Sequence, residues 1–249
     1  MPERRKLLLA SFVCMADNPV LLITGASTGI GAKTAHHAAE AGYRLVLSAR
    51  SEDKLEALAS ELGGPDKAVA VRCDVSEWED CENLVKAATD AFGGFDAVFA
   101  NAGFGASRGF LEESPEHWKS MILTNVLGVA YTIRATLPHL LEKETGHFVI
   151  TSSVAGRRAL PGSLYSASKW SVTAMGEALR QELRQMHDNT RIRVTLIEPG
   201  MVDTPFFDNP IGKGALEDED IANAVMYALS QPEHVDVNEM LIRPTQQPT

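Results

Sequence analysis

Apolar segments of two lengths alternate along this chain, and this alternation limits its fold more than any other feature of the sequence. Short apolar runs with the length of strands are separated by longer amphipathic segments with the spacing of helices. The short runs are almost continuously apolar, which is typical of a parallel sheet covered on both faces. The predicted strands are 20–24, 45–48, 68–73, 97–100, 148–151, 192–197 and 240–242. The pattern therefore predicts a doubly wound α/β sheet of about seven strands, whose ligands bind beyond the carboxyl ends of the strands.

Helical segments fill the intervals between these strands. Gly42 and the pair Gly63–Gly64 are placed to end the first two helices, because glycine readily adopts the conformation found just after a helix. The predicted helices are 32–41, 52–62, 81–92, 115–141, 164–186 and 220–229. A chain of 249 residues without internal repeats or linker-like stretches is expected to form one domain, here residues 20–249.

Charge and cysteine content exclude several classes of function. The net charge is −10 and the basic residues form no cluster, so the sequence offers no broad surface for nucleic acid. Cys14, Cys73 and Cys81 lack CxxC spacing and have no histidine-rich surroundings, which argues against a disulfide framework and against a zinc site. We therefore expect a reduced, cytoplasmic protein that requires no metal.

The first nineteen residues stand apart from this pattern. Arg4, Arg5 and Lys6 precede an apolar stretch, as in a signal peptide, but the stretch is short and contains Ser11. It is far below the ~20 residues of a spanning helix. We expect a disordered extension over residues 1–19, with export as the less favoured alternative.

A glycine-rich loop follows the first predicted strand. The sequence from Thr24 to Gly31 reads TGASTGIG and leads directly into a helix, where backbone amides and the helix dipole can hold a pyrophosphate. An ordinary tight turn is the alternative interpretation, because three glycines alone are weak evidence. Arg50 ends the second strand without a neighbouring carboxylate, so NADP(H) is favoured over NAD(H), unless Arg50 is only a solvated loop residue.

Polar side chains also follow the third and fourth strands. Asp74 can accept a hydrogen bond from an adenine amino group, or can serve as the N-cap of the next helix. Asn101 can connect neighbouring strands beneath a cofactor. Both residues are expected at the sheet edge that carries the glycine-rich loop.

Tyr165 and Lys169 lie four residues apart, on one face of a predicted helix. A phenol of ordinary pKa is a poor acid–base catalyst near neutral pH, and a nearby ammonium is expected to lower that pKa. The pair follows the fifth strand, whose end carries Ser152 and Ser153. We predict that this group performs proton transfer, although most Tyr-x3-Lys pairs are ordinary surface residues.

Taken together, these motifs resemble those of the short-chain dehydrogenase/reductase family, in its single-domain Rossmann-type form. The resemblance extends from Val20 to Thr245 and includes TNVLG around Asn125 and PGMVDT at Pro199 to Thr204. It implies that Tyr165 is the general acid or base and that Lys169 holds the nicotinamide ribose and lowers the Tyr165 pKa. It further implies that a serine hydrogen-bonds the substrate oxygen and that Asn125 anchors a water in a proton relay.

The resemblance also implies a set of cofactor contacts. They are Gly25, Ser27, Thr28, Gly29, Ile30, Gly31, Arg50, Asp74, Val75, Asn101, Gly103, Tyr165, Lys169, Pro199, Gly200 and Thr204. For the serine, the usual spacing to the tyrosine selects Ser152, whereas the Ser-x-x-Gly pattern selects Ser153. We predict Ser153, because a one-residue deletion in the following loop is easier to accommodate than a shift within the strand.

The expected function is NADP(H)-dependent hydride transfer between the nicotinamide and a carbonyl or secondary alcohol of a small substrate. A non-catalytic dinucleotide-binding regulator of the same fold is the alternative, and a nucleotide-sugar epimerase is disfavoured because few residues follow Thr204. Family analogy implies a homodimer or homotetramer. The residues expected to line an apolar substrate pocket are Phe104, Leu160, Leu164, Met201, Phe206 and Phe207.

Overall fold

Seven parallel strands form the central sheet of the computed structural model, which describes residues 18–188, 190–206 and 214–247. Their order across the sheet is β3-β2-β1-β4-β5-β6-β9, and the order reverses between β1 and β4. The strands are β1 (Val20–Thr24), β2 (Arg44–Ala49), β3 (Ala68–Arg72), β4 (Ala97–Ala100), β5 (Thr145–Thr151), β6 (Arg191–Pro199) and β9 (Glu239–Ile242). The doubly wound parallel sheet predicted from the sequence is confirmed.

Helices cover both faces of this sheet and enclose two apolar layers. One layer lies beneath the α1, α2 and α7 side, and the other lies beneath α3, α5 and α6. The helices are α1 (Gly29–Glu40), α2 (Glu52–Glu61), α3 (Trp78–Phe92), α4 (Pro115–Ile122), α5 (Val129–Lys143), α6 (Leu164–Gln185) and α7 (Asp218–Leu229). Because every strand except the last is apolar on both faces, both layers are needed to remove the sheet from water.

The predicted helix 115–141 is interrupted by a π-helical turn, Leu123–Gly128, between α4 and α5. The run Pro115–Lys143 is long and apolar enough to cross a membrane by length and composition alone. Its α5 part, however, packs against α3, β4 and β5 as one of the helices that cover the sheet. Sequence periodicity predicts a continuous helix here because a π turn adds only one residue to the repeat.

Three short elements were not predicted. A 3-10 turn, Val154–Gly156, follows β5, and a two-stranded ribbon pairs β7 (Val202–Asp203) with β8 (Leu216–Glu217). The ribbon brings the segment after β6 back over the carboxyl edge of the sheet. Most of the predicted N-terminal extension, Cys14 and Phe207 lie outside the described residues.

Candidate active site

The glycine-rich loop leads from β1 into α1 at the carboxyl edge of the sheet. Gly25 and Gly29 have φ angles of 67° and 55°, in the left-handed region that side chains rarely adopt. A Cβ on Gly31 would lie 2.2 Å from the Gly25 carbonyl oxygen, so the missing side chain lets the helix close onto the loop. The N-cap Thr28 makes no side-chain capping hydrogen bond, which leaves first-turn amides of α1 available to a ligand.

Asn101 connects the ends of three strands beneath this loop. Its amide nitrogen donates to the carbonyl oxygens of Thr24 and Gly25, both at 3.3 Å, and its oxygen accepts from the Thr151 hydroxyl at 3.1 Å. These contacts join β1, β4 and β5, as the sequence predicts. They fix the point at which the strand order reverses, where doubly wound folds bind their ligands.

Asp74 begins the turn between β3 and α3. Its Oδ1 accepts hydrogen bonds from the backbone N–H and the hydroxyl of Ser76, at 3.0 and 2.7 Å. The alternative prediction that Asp74 is a helix N-cap is wrong, because α3 begins at Trp78 and its N-cap is Glu77. The carboxylate instead shapes the turn itself.

The other predicted cofactor contacts surround the same edge. Arg50 is exposed directly after β2. Thr204 lies against the glycine-rich loop, since a Cβ added to Gly29 would be 3.3 Å from the Thr204 Cβ. The remaining positions at this edge are Ser27, Ile30, Val75, Gly103, Pro199 and Gly200. All of them follow, or lie near, the carboxyl ends of the central strands.

The two serines after β5 point in different directions. Ser152 Oγ donates to the Lys169 carbonyl oxygen at 3.2 Å and shares a 2.8 Å hydrogen bond with Thr173 Oγ1, so it faces the interior beneath α6. Ser153 Oγ donates to the Pro199 carbonyl oxygen at 3.3 Å, and its side chain lies at the Tyr165 phenol, where it favours the phenolate. The structure thus brings Ser153, rather than Ser152, to the phenol of Tyr165.

Tyr165 and Lys169 lie in the first turns of α6, with Lys169 Nζ 5.8 Å from the centroid of the Tyr165 ring. The surrounding protein desolvates the phenol and raises the pKa of Tyr165 to about 12, although the Ser153 hydrogen bond works in the opposite direction. Burial lowers the pKa of Lys169 to about 8. The lowering of the Tyr165 pKa expected from Lys169 is not found in this structure: desolvation raises that pKa, and the Lys169 ammonium donates to the Thr151 carbonyl oxygen at 2.9 Å.

Asn125 is fully buried within the π-helical turn. Its Oδ1 accepts from the Phe104 N–H at 3.0 Å, and its Nδ2 donates to the Phe104 carbonyl oxygen at 2.8 Å and to Ser168 Oγ at 3.3 Å. The side chain thus fastens the loop after β4 to the helix that carries Lys169. The proposed water relay through Asn125 stays a prediction.

One aromatic ring packs against Tyr165. The Phe206 ring meets the Tyr165 ring edge-on, with centroids 5.7 Å apart, and a Cβ on Gly105 would lie 2.8 Å from two Phe206 ring atoms. The Phe104 ring packs against His117, whose Nε2 is 2.9 Å from the Gly105 carbonyl oxygen. Of these two predicted pocket residues, Phe206 lies against Tyr165, and Phe104 lies in the neighbouring loop after β4.

An ion pair behind Ser153 was missed by sequence reasoning. Glu198, in β6, is 1% exposed, and its Oε1 accepts from Arg157 Nε at 2.6 Å. Arg157 Nη2 lies 2.5 Å from Glu239 Oε1, at the start of β9. The only signal in the sequence is an acidic residue between the apolar strand 192–197 and Pro199.

The site therefore combines a phosphate-type loop and a Ser–Tyr–Lys group on one sheet edge, and comparison with known proteins assigns the arrangement to a family. The family described as short chain dehydrogenase matches residues 19–211. The chain belongs to the short-chain dehydrogenase family.

Individual relatives agree with this assignment. An uncharacterized oxidoreductase of Staphylococcus aureus is 40% identical over 228 residues, which cover 90% of this chain and 96% of the relative. An alcohol dehydrogenase from Thermococcus sibiricus, solved with 5-hydroxy-NADP, has a TM-score of 0.83 at 34% identity and covers 93% of this chain and 98% of its own. Serine dehydrogenase from Escherichia coli has a TM-score of 0.83 at 30% identity, covering 92% of this chain and all (100%) of its own.

Membership makes this short-chain dehydrogenase an oxidoreductase that uses a nicotinamide cofactor and acts on CH–OH or C=O groups. The residues at the site fit such a cofactor. The uncapped first turn of α1 suits a pyrophosphate, and the exposed Arg50 suits the adenosine end. Lys169 is a buried ammonium, and within the described part of the chain it donates one hydrogen bond, to the Thr151 carbonyl oxygen.

Proposed function

We propose that this short-chain dehydrogenase is an NADP(H)-dependent reductase of small aldehydes or ketones, with Tyr165 as its proton donor. The observation that carries the proposal is the position of Ser153 at the phenol of Tyr165, beside the buried Lys169 and on the same sheet edge as the glycine-rich loop. A non-catalytic regulator would need the loop but not this second group. The retained Ser–Tyr–Lys arrangement therefore favours catalysis over a regulatory role.

The proton chemistry follows from the positions of the side chains. NADPH, when bound, supplies the hydride that reduces the carbonyl carbon. The Tyr165 hydroxyl donates a hydrogen bond to the carbonyl oxygen, and the Ser153 hydroxyl donates a second when its hydrogen turns from the Pro199 carbonyl oxygen to the substrate. These hydrogen bonds polarise the C=O bond and stabilise the charge that develops on oxygen. Tyr165 then transfers its proton to that oxygen, so the product is an alcohol and the phenol becomes a phenolate.

The raised pKa of Tyr165 suits the donor role, because the phenol stays fully protonated before substrate and cofactor enter. Lys169 is a desolvated ammonium next to the phenol, and ribose hydroxyls would give its free N–H groups acceptors. Such partners would favour the charged ammonium and, through it, the phenolate formed during turnover. The pKa lowering expected from sequence is thus proposed for the complex.

Arg50 supports the choice of NADP(H) over NAD(H). It is exposed at the carboxyl end of β2, where the nucleotide ribose binds in this type of fold. Its guanidinium can form a bidentate contact with a 2′-phosphate, and no acidic residue follows β2 before Glu52 to repel that phosphate.

Two features support a small, mostly uncharged substrate. Phe206 packs edge-on against the Tyr165 ring and leaves no room for a side chain at Gly105, so one side of the phenol is apolar and closely packed. A 3-hydroxy amino acid is the second candidate substrate, because serine dehydrogenase is among the similar structures. We also propose a cytoplasmic homodimer or homotetramer, for which the half-exposed Trp170 on α6 offers interface surface.

The proposal is tested by following the loss of NADPH absorbance with a panel of aldehydes, ketones and diketones, and the gain of absorbance with NADP⁺ and L-serine. Reduction of at least one carbonyl compound, faster with NADPH than with NADH, supports it. Tight NADPH binding without turnover on any panel member would favour the regulator instead.

A further inference from the structure

Two hydrogen bonds fix the hydroxyl of Ser153 from behind. Ser153 Oγ accepts from the Ala155 N–H at 3.1 Å and donates to the Pro199 carbonyl oxygen at 3.3 Å. The first bond belongs to the 3-10 turn Val154–Gly156, and the second crosses from β5 to the end of β6. The direction of this hydroxyl therefore depends on how the turn sits against β6.

An ion pair between the partly exposed Arg157 and the buried Glu198 joins the same two elements. Arg157 is the residue directly after the turn, and Glu198 directly precedes Pro199. Arg157 Nε donates to Glu198 Oε1 at 2.6 Å. Ser153, the turn, Arg157, Glu198 and Pro199 thus form a closed ring, in which the ion pair prevents the turn from moving away from the acceptor of Ser153.

The surroundings of Glu198 indicate that this ion pair is costly to bury. The carboxylate is 1% exposed, and burial raises the pKa of Glu198 despite its hydrogen bonds with Arg157 and Thr173. The pairing with the partly exposed Arg157 offsets this desolvation, but ion pairs that bury a carboxylate add little net stability compared with apolar residues of similar volume. Thr173 also bonds Ser152, which links the carboxylate to the strand end that carries Ser153.

We propose that Arg157 and Glu198 are positioning residues that hold the Ser153 hydroxyl in line with Tyr165. This inference rests on the proposed function. Neither residue contacts the reacting atoms. Their effect on the reaction is exerted through Ser153, because the ring contains no other group of the Ser–Tyr–Lys set.

A double-mutant cycle tests this dependence. Arg157→Ala should lower kcat about tenfold or more and leave the Kd for NADPH within about twofold, because the turn, not the nucleotide cleft, is released. In a Ser153→Ala background, Arg157→Ala should change kcat by less than about twofold, since the hydroxyl it positions is gone. Glu198→Gln, which can still accept from Arg157, should retain most of the activity.

The matched control is Lys143→Ala, which removes a 2.6 Å ion pair with Asp96 at the opposite sheet edge. It should leave kcat unchanged in both backgrounds. If the double variant lost kcat by the product of the two single-variant losses, in an otherwise active enzyme, the inference would be overturned while the proposed function stayed intact.

Hydrogen exchange gives a readout that does not depend on turnover. Arg157→Ala should accelerate exchange of the Ala155 and Gly156 amides at least about tenfold relative to Lys143→Ala, because those amides bond Ser153. Unchanged exchange in this turn would refute the positioning role. If the wild-type protein reduced no carbonyl compound but exchange still rose, the proposed function would fail separately.

Discussion

The two edges of the sheet both carry polar clusters, but they use their hydrogen-bonding groups differently. At the amino edge, Asp96 accepts from the Val20 N–H at 2.7 Å and from Lys143 Nζ at 2.6 Å. Lys143 also donates to the Phe95 carbonyl oxygen at 3.0 Å, and the Phe95 N–H donates to His139 at 3.1 Å. These groups satisfy one another and join β1, β4 and α5.

At the carboxyl edge, the polar groups retain unused capacity. Lys169 is 3% exposed, and its ammonium has three N–H groups but one hydrogen-bond acceptor, the Thr151 carbonyl oxygen, among the described residues. Burial shifts the pKa of both Lys169 and Tyr165 against the charged form. Desolvated groups with free hydrogen-bonding capacity are typical of ligand sites, whereas mutually satisfied groups stabilise the fold.

The amino edge also has a cavity. A cavity of about 630 Å³ opens at the amino edge, between Arg44, His139 and Lys143. The proposed functional edge therefore differs from the amino edge in the unused hydrogen-bonding capacity of its buried polar groups, rather than in empty volume. Matched substitutions at the two edges test this contrast.

The largest contrast is expected between two lysines. Lys169→Met should lower kcat/KM by about 10⁴-fold or more and weaken NADPH binding, because it removes the charge beside Tyr165 and a donor to the ribose. Lys143→Met should leave kcat/KM within about twofold and lower the free energy of unfolding by about 1 kcal/mol. Steady-state kinetics and urea denaturation measure both effects.

Lys169→Met should also change how the free energy of unfolding depends on alkaline pH. Since the pKa of Lys169 is lowered to about 8, the native protein binds fewer protons than the unfolded chain above that pH. The free energy of unfolding of the ligand-free wild type should therefore rise relative to Lys169→Met between about pH 8 and the ordinary lysine pKa of about 10.4. A flat difference over this window would contradict the assigned burial of the ammonium.

Tyr165→Phe is expected to have the next largest effect. It should lower kcat about 10²- to 10⁴-fold, because the proton donor is lost, while NADPH affinity and stability stay near wild type. Tyr43→Phe is the control, because Tyr43 is a buried tyrosine of the fold whose pKa is raised by burial. A Tyr165→Phe enzyme with more than about a tenth of wild-type activity would place the proton chemistry elsewhere.

Arg50→Asp should have a smaller effect, confined to nucleotide choice. Wild type should bind NADPH more than about tenfold tighter than NADH, and the substitution should reverse this preference by removing the guanidinium and adding a repelling carboxylate. Arg44→Asp at the amino edge should not change the ratio. Equal affinities of wild type for the two cofactors in a fluorescence titration would refute the NADP(H) assignment.

The smallest effect is expected at His139, in acid. Desolvation and, next, the Lys143 ammonium lower the pKa of His139, while the Glu142 and Asp96 carboxylates raise it. The Nε2 of His139 accepts a hydrogen bond from the Phe95 N–H. Stability should fall as pH drops below the ordinary histidine pKa of about 6.5, because protonation removes the acceptor. His139→Gln, which keeps an acceptor, should flatten this dependence in thermal denaturation, with kcat unaffected.

Most of the fold could be predicted because strand-length and helix-length apolar runs are local signals. β1 and β4 begin and end where predicted, and the other strands differ only at their ends. The π-helical turn could not be predicted, since the apolar repeat barely changes across it. The short β7–β8 ribbon depends on tertiary contacts over the sheet edge rather than on any propensity of its two-residue strands.

Residue types at the site could be predicted, but their electrostatics could not. The sequence places Tyr165 and Lys169 on one helix face, and they lie together. It does not reveal how completely both are desolvated, and desolvation reverses the expected shift of the Tyr165 pKa. The Arg157–Glu198 ion pair was missed for a similar reason, because the partners are forty-one residues apart and only the fold brings them together.

The π-helical turn also determines which residues of α5 face the sheet. One extra residue per turn lets Asn125 and Gly128 face inward and still directs Thr132, Thr136 and Leu140 of α5 toward the sheet. Deleting a single residue from Leu123–Gly128 would restore an ordinary helix and rotate α5 by about 100° about its axis. The inward row would then point toward solvent, so this segment should tolerate substitutions more readily than any change in its length.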